Sequence, residues 1–178
     1  MTGDDACKSY LKFDEDLKLI KELGLTHYRF SISWSRLFPD GKKTSGPLLT
    51  GVSYYDYVVD ELTKAGVEPM ITLFHWDLPQ ALQAEFGGFN NSDIIQHFAD
   101  YAEYVFQQFG GRVKYFFTFN EPWSYCSQGH GFGVAAPGVI EPQIGTYLCG
   151  HNMLLSHAEA YKRYYDFLSL GLRLMQLC

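Results

Sequence analysis

Apolar positions along the chain switch repeatedly between two periods. In residues 13–25, FDEDLKLIKELGL, Phe13, Leu17, Ile20 and Leu23 fall three or four apart, and Gly24 supplies a stop. That spacing predicts a helix. Its acids come early and its lysines late, the order the helix dipole favours. HYRFSISW at 27–34 is aromatic and β-branched and predicts a strand. VSYYDYVVDELTKAGV at 52–67 returns to helical spacing and ends at Gly66, and EPMITLFHW at 68–76 predicts a second strand. DIIQHFADYAEYVFQQFG at 93–110 predicts a long helix, with Asn91 or Ser92 as its cap and Gly110 and Gly111 at its end. VKYFFTFN at 113–120 predicts a third strand, SQGHGFGVAAPGV at 127–139 a glycine-rich loop, and LCGHNMLLSHAEAYKRYYDF at 148–167 a last helix.

Strands beginning near 27, 69 and 114 recur about every forty residues, each preceded by a helix. Such alternation implies parallel strands with helices packed outside them, an α/β architecture. The strand ends carry a second regularity. Ser33, Trp34 and Arg36 follow the first strand, His75, Trp76 and Asp77 the second, and Asn120 and Glu121 the third. In a parallel sheet these ends share one edge, and in a (β/α)8 barrel that edge is the mouth of the active site. The stretch YFFTFNEPW at 115–123 puts the matter sharply, because an apolar strand runs straight into an amide, a carboxylate and a proline. A carboxylate at the rim of an apolar core is costly unless it is paired or bonded. Alone, the stretch favours an ionised Glu at a strand end with water nearby over an acid held in a pocket. Three aligned chemistry-bearing strand ends favour the pocket.

Composition narrows the class. The 178 residues suffice for one ordinary domain, and 47% hydrophobic against 19% charged residues excludes a disordered chain. Thirteen Tyr, fourteen Phe and three Trp suit a large core and also a carbohydrate cleft. A net charge of −6, with no stripe of Lys and Arg, argues against nucleic acid as partner. No run of eighteen apolar residues predicts a membrane span, and the opening MTGDDACKSY lacks the basic and apolar regions of an export signal. Cys7, Cys126, Cys149 and Cys178 show no metal spacing, and their even number permits disulfides without arguing for them. The triplet NNS makes Asn90 a candidate glycosylation acceptor.

Six motifs in order, YRFSISWSRLFPDG, LFHWDLPQAL, GGF, FADYAEYVF, FGGRVKYFFTFNEPW and GFGVAAPG, resemble glycoside hydrolase family 1, the β-glucosidase family, over about residues 2–165. The resemblance implies a (β/α)8 barrel, of which about three βα units are present. It implies retaining hydrolysis of β-glycosides with no cofactor and no metal. By the same resemblance Glu121 is the general acid/base, and Asn120 bonds the sugar 2-hydroxyl, with a self-bonded turn as its plainer reading. His75 is implied to bond a sugar hydroxyl, with a core histidine bonded to backbone as the plainer reading of a lone His. Trp76 is either an aromatic wall of the pocket or core filling. Trp123 is implied on the leaving-group side. Arg29 is implied to lie inside the barrel in support of the nucleophile, with a structural ion pair as the alternative. Asp77 shares the edge, but Pro79 and the loop after it assign it to a turn rather than to catalysis.

The family's nucleophile belongs to a TENG-like motif on a later strand, and no such string occurs here; the family's opening strand is missing as well. The expected picture is a fragment with the acid/base half of a two-carboxylate site, inactive alone, inside a parent that acts on small β-glycosides or oligosaccharides. A non-catalytic binding member or a truncated product are the alternatives. Residues 1–165 form the partial barrel in this reading, and 166–178 a divergent tail. Likeness to digestive and extracellular β-glucosidases, with the sequon at Asn90, implies a secreted parent, a cytoplasmic one being the alternative.

Overall fold

The computed structural model describes residues 6–169 and, as a short strand, residues 176–177. Part of the segment read as a divergent tail, 170–175 and 178, lies outside the described residues, as do 1–5. The order of elements is α1 (Ser9–Glu22), β1 (His27–Ser31), the single turn α2 (Trp34–Leu37), α3 (Leu49–Lys64), β2 (Glu68–Phe74), α4 (Gln80–Phe86), α5 (Ile94–Phe109), β3 (Tyr115–Phe119), the turn α6 (Pro122–Tyr125), α7 (Gly145–Ser169) and β4 (Gln176–Leu177). The sheet order is β1-β2-β3-β4 and every pairing is parallel. The predicted alternation and the three main strands are thus present. α7 runs continuously through the boundary expected near residue 165.

α5 shows why these residues fold this way. Ile94, Phe98, Tyr101, Ala102, Val105, Phe106 and Phe109 are buried and recur at helical spacing on one face. That face lies between the sheet and α7. Phe98 stacks on Phe119 at 4.5 Å, and Phe106 meets Phe116 and Tyr164 edge-on at 5.1 and 5.0 Å. Truncating one such phenylalanine to alanine costs about 3–5 kcal/mol. Neither expected cap holds: the helix begins at Ile94 with Asp93 at the N-cap position and no side-chain cap bond, and Asn91 instead closes a turn just ahead of it, its side-chain oxygen accepting the Asp93 N–H at 2.9 Å. A second, smaller core joins α1 to α3 through Phe13, Ile20, Val58, Leu62 and Val67. Leu23, at the end of α1, is exposed.

Three short elements escape periodicity. α2 begins at Trp34, expected at the end of a strand, because its indole leaves the sheet edge and stacks on Tyr101 at 4.7 Å. α3 then crosses so close that a side chain on Gly51 would strike the Arg36 carbonyl at 2.1 Å. α4 occupies what reads as loop after Pro79; at seven residues it is too short to display a period. Cys126–Gly131 in the glycine-rich loop forms a π-helical turn, and a disulfide ties Cys126 to Cys149 of α7 with Cα atoms 5.5 Å apart. Cys7 is free and exposed.

Candidate functional site

Parallel register brings the strand ends level. Ser31 pairs with Thr72, and Phe74 with Phe119. Sheet bonding continues past both ends: the Ile32 N–H donates to the Thr72 carbonyl and the Asn120 N–H to the Phe74 carbonyl, each at 3.0 Å. His75 and Trp76 after β2 therefore stand beside Asn120 and Glu121 after β3. Beneath them the Tyr101 hydroxyl, fully buried, donates to the Leu73 carbonyl at 2.9 Å, with the Ile32 carbonyl 3.4 Å away. One side chain of α5 thus holds the ends of β1 and β2 together.

Asn120 is the best-anchored residue of this edge. Its carbonyl accepts the Trp76 indole N–H at 2.9 Å. Its side-chain oxygen accepts a guanidinium N–H of Arg29, also at 2.9 Å. Arg29 projects from the face of β1 opposite Phe30, whose ring stacks toward α3 on Tyr55. Its Nε donates to Thr72 at 2.8 Å and its plane lies 4.7 Å over the Phe117 ring. Among the described residues Arg29 meets a hydroxyl, an amide oxygen and a ring rather than a carboxylate. Trp76 and Glu121, on either side of this cluster, have left-handed backbones with φ of 78° and 44°. Left-handed geometry in a non-glycine residue costs about 1–3 kcal/mol and concentrates at functional sites. Glu121 is exposed and opens α6, with Pro122 at the first helical position.

The other expected site residues divide. His75 is exposed on the same edge and Trp76 is half-buried against Tyr125. Trp123, 75% exposed, turns to a different groove of about 660 Å³, which Thr118, Tyr147, Leu154 and His157 also line. No ring contact or hydrogen bond joins it to Arg29, Trp76 or Asn120 among the described residues. Asn90 ends a short 3₁₀ turn (Gly88–Asn90) that α7 grips through an Asn152 bond to the Phe89 carbonyl at 2.8 Å. The Asn90 Oδ1 is buried without a partner.

Asp77 is more than a turn residue. Burial raises its pKa above the usual carboxylate range, and bonds from Ser33 and from the backbone pull the other way. Its Oδ1 has no partner. Ser33 in turn donates its N–H to the Tyr55 hydroxyl at 2.8 Å. His130, in the π-turn, is fully buried with both ring nitrogens unpartnered, and burial lowers its pKa to about 4. It packs edge-on to Tyr125 at 5.5 Å. Nothing in the spacing marks His130 as buried or Asp77 as half-buried with one oxygen wholly enclosed; the polar strand-end pattern is the only signal that reached Asp77. Among the described residues no three His, Cys, Asp or Glu side chains converge as a metal would require, and no helix is long and apolar enough to cross a membrane.

Parallel strands, outer helices and a carboxylate beside an anchored amide at the C-terminal strand edge define a segment of a β/α barrel that carries a candidate active-site rim. The chain belongs to glycosyl hydrolase family 1, whose model matches residues 1–172. It is 48% identical to the furostanol glycoside 26-O-beta-glucosidase of Hellenia speciosa over 92% of this chain and 31% of that protein. It is 51% identical to the cytosolic beta-glucosidase of Cavia porcellus over 92% of this chain and 34% of that one. Among solved structures, the beta-glucosidase of Trichoderma harzianum superposes with a TM-score of 0.92 at 39% identity, covering 99% of this chain and 38% of that one. The beta-glucosidase of Thermotoga maritima in complex with deoxynojirimycin gives 0.91 at 38% identity, with the same coverage. The chain is thus a fragment of a (β/α)8 enzyme fold and spans about a third of the length of these relatives.

Proposed function

We propose that this segment supplies the acid/base half of the active site of a retaining β-glycosidase. The supporting observation is the edge itself: Glu121 directly follows Asn120, whose carbonyl and side-chain oxygen are fixed by Trp76 and Arg29. In this reading Glu121 protonates the departing glycosidic oxygen and later takes a proton from water. Asn120 bonds the sugar 2-hydroxyl, a contact that strengthens as the oxocarbenium-like transition state forms. His75 holds another sugar hydroxyl, and Trp76 walls the pocket while fixing the Asn120 carbonyl. Trp123 contributes from the leaving-group side. The nucleophile, a second carboxylate about 5–5.5 Å from the acid/base in retaining enzymes, comes from the remainder of the barrel. The substrate class is a β-glycoside of small or oligosaccharide size.

Glu121→Gln in the complete barrel tests this. Loss of general acid/base help should lower turnover about 10²–10⁴-fold for poor leaving groups. The loss should shrink for good leaving groups, which depart without a proton. The glycosyl-enzyme then accumulates, and azide, which needs no general base, should restore turnover and yield a β-glycosyl azide. Equal losses for all leaving groups, with no azide product, would refute the assignment.

Passage of the parent through the secretory pathway belongs to the same proposal. The buried Cys126–Cys149 disulfide supports it, because such bonds persist in oxidising compartments, and so does the sequon at Asn90. Recovery of the parent from cytosol, with reduced thiols and no glycan at Asn90, would overturn it.

A further inference from the structure

Arg29, Thr72, Phe117 and Asn120 come from three adjacent strands, and their contacts fix more than the position of Asn120. An arginine side chain has donors only, five N–H groups in a rigid plane. The atom of Asn120 that faces Arg29 at 2.9 Å is therefore the amide oxygen, and Nδ2 must point the other way. The guanidinium has little freedom of its own. Nε is bonded to Thr72 at 2.8 Å and the plane rests over the Phe117 ring at 4.7 Å. The Asn120 backbone is bound at both ends, by the Phe74 carbonyl and by the Trp76 indole. One group of Asn120 stays unused: among the described residues no acceptor meets Nδ2.

We infer that Arg29 is a positioning residue that sets the flip state of the Asn120 amide, so that this residue can only donate to a ligand oxygen beside Glu121. The inference rests on the glycosidase reading given above and deepens it. A sugar 2-hydroxyl placed there must accept through its oxygen. Its own proton is left free to donate to a carboxylate on the far side of the ring. Were the amide reversed, its oxygen would take that proton and leave the hydroxyl oxygen without a donor. Removing Arg29 removes the charge-assisted bond that separates the two flip states, which is worth a factor on the order of ten to a hundred.

The test uses the complete barrel and two substrates, an aryl β-glucoside and its 2-deoxy analogue. Arg29→Met keeps an unbranched apolar stem and removes the donors. The expected result is a loss in kcat/KM that is on the order of ten- to a hundred-fold larger for the 2-hydroxy substrate than for the 2-deoxy one. In the Asn120→Ala background that excess should vanish, since the two residues act as one unit. Arg29→Lys, which still donates, should restore part of the preference. If Arg29→Met does not fold, Thr72→Val decides: it frees the Nε end alone, and a smaller loss, again confined to the 2-hydroxy substrate, is expected. Equal losses for both substrates overturn the inference while leaving the glycosidase reading intact. Failure of the unchanged protein to turn over either substrate overturns the glycosidase reading and the inference with it.

Discussion

The disulfide between Cys126 and Cys149 should govern how often the loop after Glu121 opens. The perturbation is the double variant Cys126→Ala, Cys149→Ala. Alanine is chosen because both sulfurs are buried, and serine would bury a hydroxyl without a partner. The bond closes a ring across 23 residues of sequence. In the chain-entropy account such a ring removes about 11–12 cal/mol/K from the opened state, or roughly 3.4 kcal/mol near room temperature. At 1.4 kcal/mol per factor of ten, that is about a three-hundred-fold change in the opening equilibrium. Hydrogen exchange read by mass spectrometry reports it directly. Peptides covering Cys126–Gly131 and the start of α7 should lose roughly a hundred-fold or more of their protection. Amides of α3, which packs away from this loop, should keep theirs. Loss of sulfur packing against Met153, 3.4 Å from the Cys126 sulfur, is a separate effect. Reduced wild type controls for it, since it keeps both sulfurs and loses only the ring. Unchanged protection in the variant and in reduced wild type, with the oxidised bond verified by mass, would refute the reasoning.

Tyr101→Phe leaves the Leu73 carbonyl buried without its donor and should cost about 1–2 kcal/mol; exchange of the Ile32 and Asn120 amides should rise about tenfold, and no change at either would count against a bracing role. His130 has a folded pKa of about 4 against an ordinary 6.5, so the unfolded chain binds its proton first as pH falls. Stability from this group is full above pH 6.5 and declines toward pH 4, by about 3 kcal/mol in all; an NMR titration that places the ring near 6.5 would refute it. Expressed alone, the 178-residue chain should self-associate through the edge of β1 that no strand covers among the described residues and through the exposed Tyr147, Leu154 and Tyr165 of α7, and should show no glycosidase turnover. A monomer by sedimentation, or turnover abolished by Glu121→Gln, would contradict these expectations.

How far the sequence discloses the fold depends on segment length and on locality. β1 to β3 are legible because each is an apolar run bounded by helices long enough to show their period. α5 is legible because its buried face repeats over four turns. α4, with seven residues after a proline, has no room for a pattern. Trp34 reads as strand because aromatic residues favour strands, and tertiary stacking on Tyr101 overrides that preference. At the candidate site, the level placement of His75, Trp76, Asn120 and Glu121 follows from parallel topology alone. The Arg29–Asn120 bond spans 91 residues and has no local signature. The same holds for the pairing of Cys126 with Cys149, and for the turn of Trp123 toward α7 rather than toward Arg29. Each depends on side-chain direction, which periodicity does not carry.

The three tryptophans occupy three depths. Trp34 is wholly buried in its stack, Trp76 is half-buried with its indole N–H committed to Asn120, and Trp123 is mostly exposed beside Glu121. In optical terms the segment carries its own reporters. A water-soluble quencher reaches Trp123 first and Trp34 last, so emission from the core, the pocket wall and the rim separates without any added label. Trp76 is the most informative of the three, because the partner of its indole N–H is the backbone of the same asparagine whose amide is proposed to meet the sugar. Occupancy of that amide is therefore coupled to the environment of a chromophore one hydrogen bond away.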